Sequence, residues 1–89
     1  MLGVRAQEKF SLSGFTRDAE TGEELIGVTV YINSLKQGVV SNVYGLYSLT
    51  VPEGKYSIRY SYVGYTPIIK EIDLSSNLAI DIELLVASE

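Results

Sequence analysis

The chain contains no cysteine, no histidine and no tryptophan. Without cysteine it can form no disulfide, no thiolate zinc site and no thiol nucleophile. Without histidine it lacks the usual general base and the commonest metal ligand. Cations are scarce: seven Lys and Arg stand against eleven Asp and Glu, for a net charge of −4. A protein that grips a phosphate backbone is normally basic, so nucleic acid is excluded as a partner. No apolar run approaches the ~20 residues of a membrane helix, which argues against direct membrane insertion. What remains is 89 residues, 46% hydrophobic and 10% aromatic. That is a single small globular domain with a thin core, and it reads as a non-catalytic module with no cofactor.

The order along the chain is strand and turn throughout. Residues 1–7 show neither periodicity nor turn logic. Their Val4-Arg5-Ala6 reads as the tail of a secretory signal, or else as a start methionine with leftover residues. From Lys9 to Arg17, Phe10, Leu12, Gly14 and Thr16 share one face, and Ser11, Ser13, Phe15 and Arg17 the other. Asp18–Glu24 is a turn with Asx chemistry at its start and Gly22 inside. Val28, Val30 and Ile32 alternate with Thr29 and Tyr31, and Val39–Asn42 forms a short strand. Tyr47, Leu49 and Val51 alternate next, and Pro52-Glu53-Gly54 stops that strand. Tyr56, Ile58, Tyr60 and Tyr62 then oppose Ser57, Arg59 and Ser61. Thr66–Leu74 is less regular, and Leu78, Ile80, Ile82 and Leu84 alternate with Ala79, Asp81 and Glu83.

No window keeps apolar residues at helical spacing for three turns without a Gly or Pro. Seven short strands at about ten-residue spacing mean an all-β sandwich or small barrel. Their one-sided alternation predicts antiparallel sheets, each with one wet face. Gly14, inside a strand, predicts a bulge or a close backbone approach.

The punctuation has an order of its own. Ser13-Gly14, Asp18, Thr21-Gly22-Glu23, Leu25, Gly27-Val28 and Val30 resemble the opening of carboxypeptidase-regulatory-like domains. Ser41-Asn42, Tyr44-Gly45, Tyr47 and Leu49 are similar to the central segment of that family. Pro52, Gly54 and Tyr56, followed by Ser61-Tyr62-Val63-Gly64-Tyr65, resemble its closing signature. The resemblance implies a transthyretin (prealbumin)-like, seven-stranded Greek-key β-sandwich over residues 8–86, with 87–89 starting a linker. It resembles in particular the N-terminal extension of TonB-dependent outer-membrane receptors. That implies a periplasmic accessory domain acting as a spacer or through contact with protein, either the receptor's own plug and barrel or a periplasmic partner, and monomeric in isolation. The alternative is a carbohydrate- or calcium-binding module of a secreted or surface protein.

Few constellations carry chemistry. No catalytic set is placed by spacing, and no cofactor is implied. Asp18, Glu20, Glu23 and Glu24 put four carboxylates in seven residues, a weak metal candidate because the alternating ligand spacing of a calcium loop is missing. Lys9 and Asp81 are the one plausible pair for an internal isopeptide bond, but Asp81 should face water. Phe15, Tyr31, Tyr44 and Tyr65 fall on polar faces or in loops and form the candidate interaction surface. Residues 71–89 carry Glu71, Asp73, Asp81, Glu83 and Glu89 with no cation, which gives the last strand a negative outer face.

Overall fold

A computed structural model describes residues 8–88. The proposed leader remnant at residues 1–7 and the final residue of the 87–89 linker lie outside the described residues. The chain forms β1 (Lys9–Asp18), β2 (Thr29–Ile32), β3 (Gln37–Val40), β4 (Leu46–Pro52), β5 (Gly54–Ser61), β6 (Ile68–Leu74), β7 (Leu78–Ala79) and β8 (Ile82–Leu84). One sheet has β1 at its centre, with β4 on one side and β7 and β8 on the other. The second runs β3-β2-β5-β6. β7 and β8 are two halves of the expected final strand. The fold is therefore the expected all-β sandwich, with its seventh strand broken once and other boundaries displaced by a residue or two.

The alternation read from the sequence becomes the core. Leu12, Val28, Val30, Ile32, Tyr47, Val51, Ile58, Leu74, Ile82 and Leu84 are buried between the sheets. Tyr47 and Tyr60 are fully buried, while Tyr56 and Tyr62 pack at the margin. The two buried rings meet edge to face, 5.4 Å between centroids, an arrangement favoured by their quadrupoles. Tyr47 donates its hydroxyl proton to the Ile80 carbonyl at 2.7 Å, so the 2.8 Å bond between the phenols must have Tyr60 as donor. Burial pushes both phenols above their ordinary pKa. The relay spans the two sheets and leaves neither hydroxyl orphaned.

The pairing of the last strand corrects one expectation. β7 and β8 lie parallel to β1, not antiparallel. The reason is parity. The chain reverses at each connection, so odd-numbered strands run one way and even-numbered strands the other. The final strand, seventh in order, crosses from the second sheet to lie beside the first. Two odd strands that become neighbours can only pair in parallel.

The break at Ile80–Asp81 has a local cause. The backbone of Ile80 dips toward β1, its N–H donating to the Ser13 carbonyl at 2.7 Å. A Cβ on Gly14 would stand 1.8 Å from the Ile80 oxygen. Side chains replace the lost ladder acceptors: the Ser11 amide donates to Asn77 Oδ1 at 2.9 Å and the Phe15 amide to Asp81 Oδ1 at 3.0 Å. Gly14 is thus the close approach that its position in a strand predicts.

Candidate interaction surface at one end of the sandwich

Four chain segments meet at the end where β1 finishes. They are the β1–β2 connection, the β3–β4 loop, the β5–β6 turn and residues 85–88. Backbone bonds hold them together. The Leu25 amide donates to the Thr16 carbonyl at 2.9 Å, and the Thr16 amide to the Gly45 carbonyl at 2.7 Å. The Thr66 amide reaches Leu85 and the Ala87 amide reaches Gly64, at 2.8 and 2.9 Å. The terminal segment is therefore stitched to the β5–β6 turn.

Beneath the surface lies a polar scaffold. The Thr16 hydroxyl lies 2.9 and 3.0 Å from the carbonyl oxygens of Leu25 and Gly45. Ser41 Oγ accepts from the Val28 amide and donates to the Leu25 carbonyl. Asn42 Oδ1 accepts from the Tyr44 and Leu46 amides. Gly45, at φ 77°, leaves room for the Thr16 oxygen, which a Cβ there would meet at 2.9 Å. No buried side-chain oxygen or nitrogen among the described residues lacks a partner. Many of the punctuating motif residues are thus spent on shaping this end.

Asp18 belongs to the same scaffold. It is buried, not solvated as one tip carboxylate among four. Its Oδ1 accepts from the Glu20 and Thr21 amides at 2.8 and 3.0 Å, and its Oδ2 accepts the Tyr65 hydroxyl at 2.6 Å. These bonds, the Tyr65 one foremost, hold the carboxyl below its usual range. The same bond pushes the Tyr65 phenol up to about 12. Glu20, Glu23 and Glu24 are exposed, and among the described residues no group of three acidic side chains could hold a metal ion. The four carboxylates do not converge, because the one that opens the turn is engaged inward.

The Asp18–Tyr65 bond predicts a pH signature. A carboxyl depressed in the folded state contributes stability that is full above its unfolded value, about pH 4, and lost as pH falls through its folded value. The raised phenol contributes stability that is full below its unfolded value, about pH 10, and lost as pH rises through about 12. Tyr65→Phe should lower the melting midpoint at neutral pH. Melts on both proteins should show that difference shrinking on strong acidification. A constant difference at every pH would mean that the hydroxyl contributes without the charge on Asp18.

The four candidate aromatics do not share one surface. Phe15 sits on the outer face of the first sheet under the Arg17 guanidinium, 4.8 Å from the ring centroid. Tyr31 sits on the opposite outer face, its ring beside Gly38. Tyr44 is exposed, and Tyr65 is half-buried with its ring 5.5 Å from that of Tyr62. Only these last two reach the end described here. Asp81 is exposed, as its alternation predicts, and lies 3.9 Å from Arg17. Lys9, opposite Pro52 at the other end of β1, is six residues from Phe15, the strand residue whose amide Asp81 accepts. No isopeptide pairing can join them.

Apart from Tyr44, the sequence reading missed the apolar residues of this end. Ile26, Val43, Tyr44, Val63, Leu85 and Val86 are exposed there, Val63 to 93%. Of the exposed large hydrophobics, Ile69 and Val40 lie on strands and the others on these connections. Their one signal was placement, since Ile26, Tyr44 and Val63 each precede a glycine in a turn where a polar residue is the norm.

Residues 12–89 match the family described as CarboxypepD_reg-like domain. Carboxypeptidase D of Anas platyrhynchos is 30% identical over 60 residues, 67% of this chain. TonB-dependent receptor P39 of Formosa agariphila is 35% identical over 65 residues, 73% of this chain. The chain spans only 4% and 6% of the length of those two relatives. The full-length major pilin SpaD of Corynebacterium diphtheriae superposes over 93% of this chain and 32% of its own, with a TM-score of 0.68 at 12% identity. That likeness concerns the fold.

Proposed function

Because the chain belongs to the carboxypeptidase regulatory-like domain family, we propose that it serves as a non-catalytic accessory domain. In this reading it is the periplasmic N-terminal extension of a TonB-dependent outer-membrane receptor and acts by contact with protein. The receptor relative in Formosa agariphila supports the context. The observation that carries the mode of action is the apolar end. Six exposed apolar side chains lie on the connections at the end where the terminal segment is tied to the β5–β6 turn. An exposed apolar cluster of this kind on a small domain marks a contact surface. A body following the domain in a longer polypeptide would arrive at that surface already tethered, so a weak contact there would suffice.

The test compares amide hydrogen exchange of the 89-residue chain alone with that of the same chain followed by its receptor plug and barrel. Protection confined to Ile26, Val43, Tyr44 and Val63 is the expected result. Unchanged exchange at all four would reduce the domain to a spacer. Calcium and a panel of sugars, each added at millimolar levels, should leave the amide spectrum unchanged. Saturable shifts at residues 18–24 would instead favour a calcium module, and shifts around Tyr31 or Phe15 a sugar module.

A further inference from the structure

A sandwich of two open sheets has four edges, and three of these are blunted. β6 follows Pro67 and carries Lys70, Glu71 and Asp73. The β7–β8 edge is broken at Ile80–Asp81 and bears Asp81 and Glu83. β3 has only four residues. These are the devices by which natural sheets avoid joining other strands. β4 lacks the charge, the break and the shortness, and its one proline, Pro52, stands at its last position. The strand is seven residues long, pairs with β1 along its whole length, and carries no charge. In fact no charged residue occurs from Gln37 to Pro52, a stretch that includes both β3 and β4.

The phase of the β1–β4 ladder follows from its ends. The Glu53 amide donates to the Glu8 carbonyl and the Thr16 amide to the Gly45 carbonyl. Hydrogen-bonded pairs recur at every second position, so Tyr47, Leu49 and Val51 bond to β1. Leu46, Ser48 and Thr50 direct their backbone groups away from it. Those of Leu46 are satisfied by Asn42. Among the described residues, Ser48 and Thr50 have no partner for either N–H or C=O. On the other side, the Ser41 amide donates to the Val28 carbonyl, and the same count turns Gly38 of β3 outward. Between these two edges lies a groove of about 550 Å³ lined by Lys36, Gly38, Val39, Ser48, Leu49 and Val51, among others. Its lining contains one cation and no anion, in a chain whose net charge is −4.

We propose that this groove is a strand-acceptor site, which takes an extended segment of another polypeptide in hydrogen-bonded register with Ser48 and Thr50. The pairing supplies four main-chain bonds, one N–H and one C=O from each residue. Alternate side chains of the incoming segment would face Val39, Leu49 and Val51, which selects apolar residues at every second position. Lys36 at the mouth selects a carboxylate at the end of the segment that lies beside Val51. The site is independent of the apolar end, since it lies along the flank of the sandwich and uses backbone where that surface uses side chains.

The probe is a capped heptapeptide of alternating valine and threonine with one terminal glutamate, added to the 89-residue chain. Amide shifts and exchange rates would be followed by nuclear magnetic resonance. Saturable binding is expected, with new protection of the Ser48 and Thr50 amides and none at Ile26 or Val63. The same peptide methylated on its backbone nitrogens should not bind. Lys36→Glu should weaken the glutamate peptide by about tenfold and strengthen one ending in lysine. Equal binding of the methylated peptide, or indifference to Lys36→Glu, would overturn the proposal. So would concentration-dependent pairing of β4 with β4 of a second copy, or protection confined to the apolar end.

Discussion

Replacing Gly14 by alanine should abolish the native fold or detach its last strand. The new methyl carbon would stand 1.8 Å from the Ile80 oxygen and 2.5 Å from its carbonyl carbon. No side chain can rotate out of the way, because the obstacle is backbone. Relief requires β7 and β8 to move off β1. That movement would break the Ile80–Ser13 bond and the acceptors that Asn77 and Asp81 supply to β1. It would also take the Ile80 acceptor from the Tyr47 hydroxyl and leave the phenol pair one partner short. Overpacking alone typically costs about 1–3 kcal/mol, and each buried polar group left unmatched adds about 1–3 kcal/mol. The total approaches the whole stability of a small domain, about 5 kcal/mol. Urea denaturation would read the loss, with Ser11→Ala on the same strand as a control that should stay close to the parent. A Gly14→Ala protein with an unchanged midpoint would mean that the last strand does not approach β1 as described.

Ile58→Ala should be the next most damaging change, and Arg59→Ala should be nearly silent. Ile58 is fully buried, pairs with Ile32 on β2 and faces the first sheet. Arg59 points to the opposite, solvent-facing side of the same strand. Truncating a buried isoleucine costs about 2–5 kcal/mol through lost transfer energy and the cavity left behind. A surface substitution away from special features stays within about 0.5 kcal/mol. Side chains alternate with a period of two residues, so this pair of variants tests the register of β5. Chemical denaturation of both would suffice, and equal, mild effects would mean the strand is shifted by one residue.

Much of this fold was legible because period-two alternation reports directly on which face is buried. Val28, Val30 and Ile32 are all buried, and so are Tyr47, Leu49 and Val51. The direction of a partner strand leaves no such mark, so the parallel seam between β1 and the last strand was invisible. The break at Ile80–Asp81 was hidden too, since Leu78, Ile80, Ile82 and Leu84 keep their spacing straight through it. Gly14 was the single clue, and its meaning depended on a residue 66 positions later. At the candidate surface the motif residues were easy to find but mark the support and not the contact. Asp18, Ser41 and Asn42 are engaged with backbone groups. The side chains left free for a partner sit in turns, where no periodicity flags them. Asp18 misled for a related reason: composition counts carboxylates in a turn but does not say which one folds inward.

The parallel seam also decides how the domain bears traction. β1 begins at Lys9, beside Pro52, while β8 finishes at Leu84, beside Asp18, at the opposite end of the sandwich. A force applied between Glu8 and Leu85 would therefore drag the first and last strands past each other along their own axes. The bonds of Ser11 with Asn77, Ile80 with Ser13, Phe15 with Asp81 and Ala19 with Leu84 would be loaded in shear, all at once. Had the two strands been antiparallel neighbours, the same pull would have peeled those bonds apart one after another. Forced unfolding is governed by the rate of leaving the native state, and simultaneous loading slows that step. The topology makes this small domain a tension-bearing element in any longer chain that is pulled from both sides.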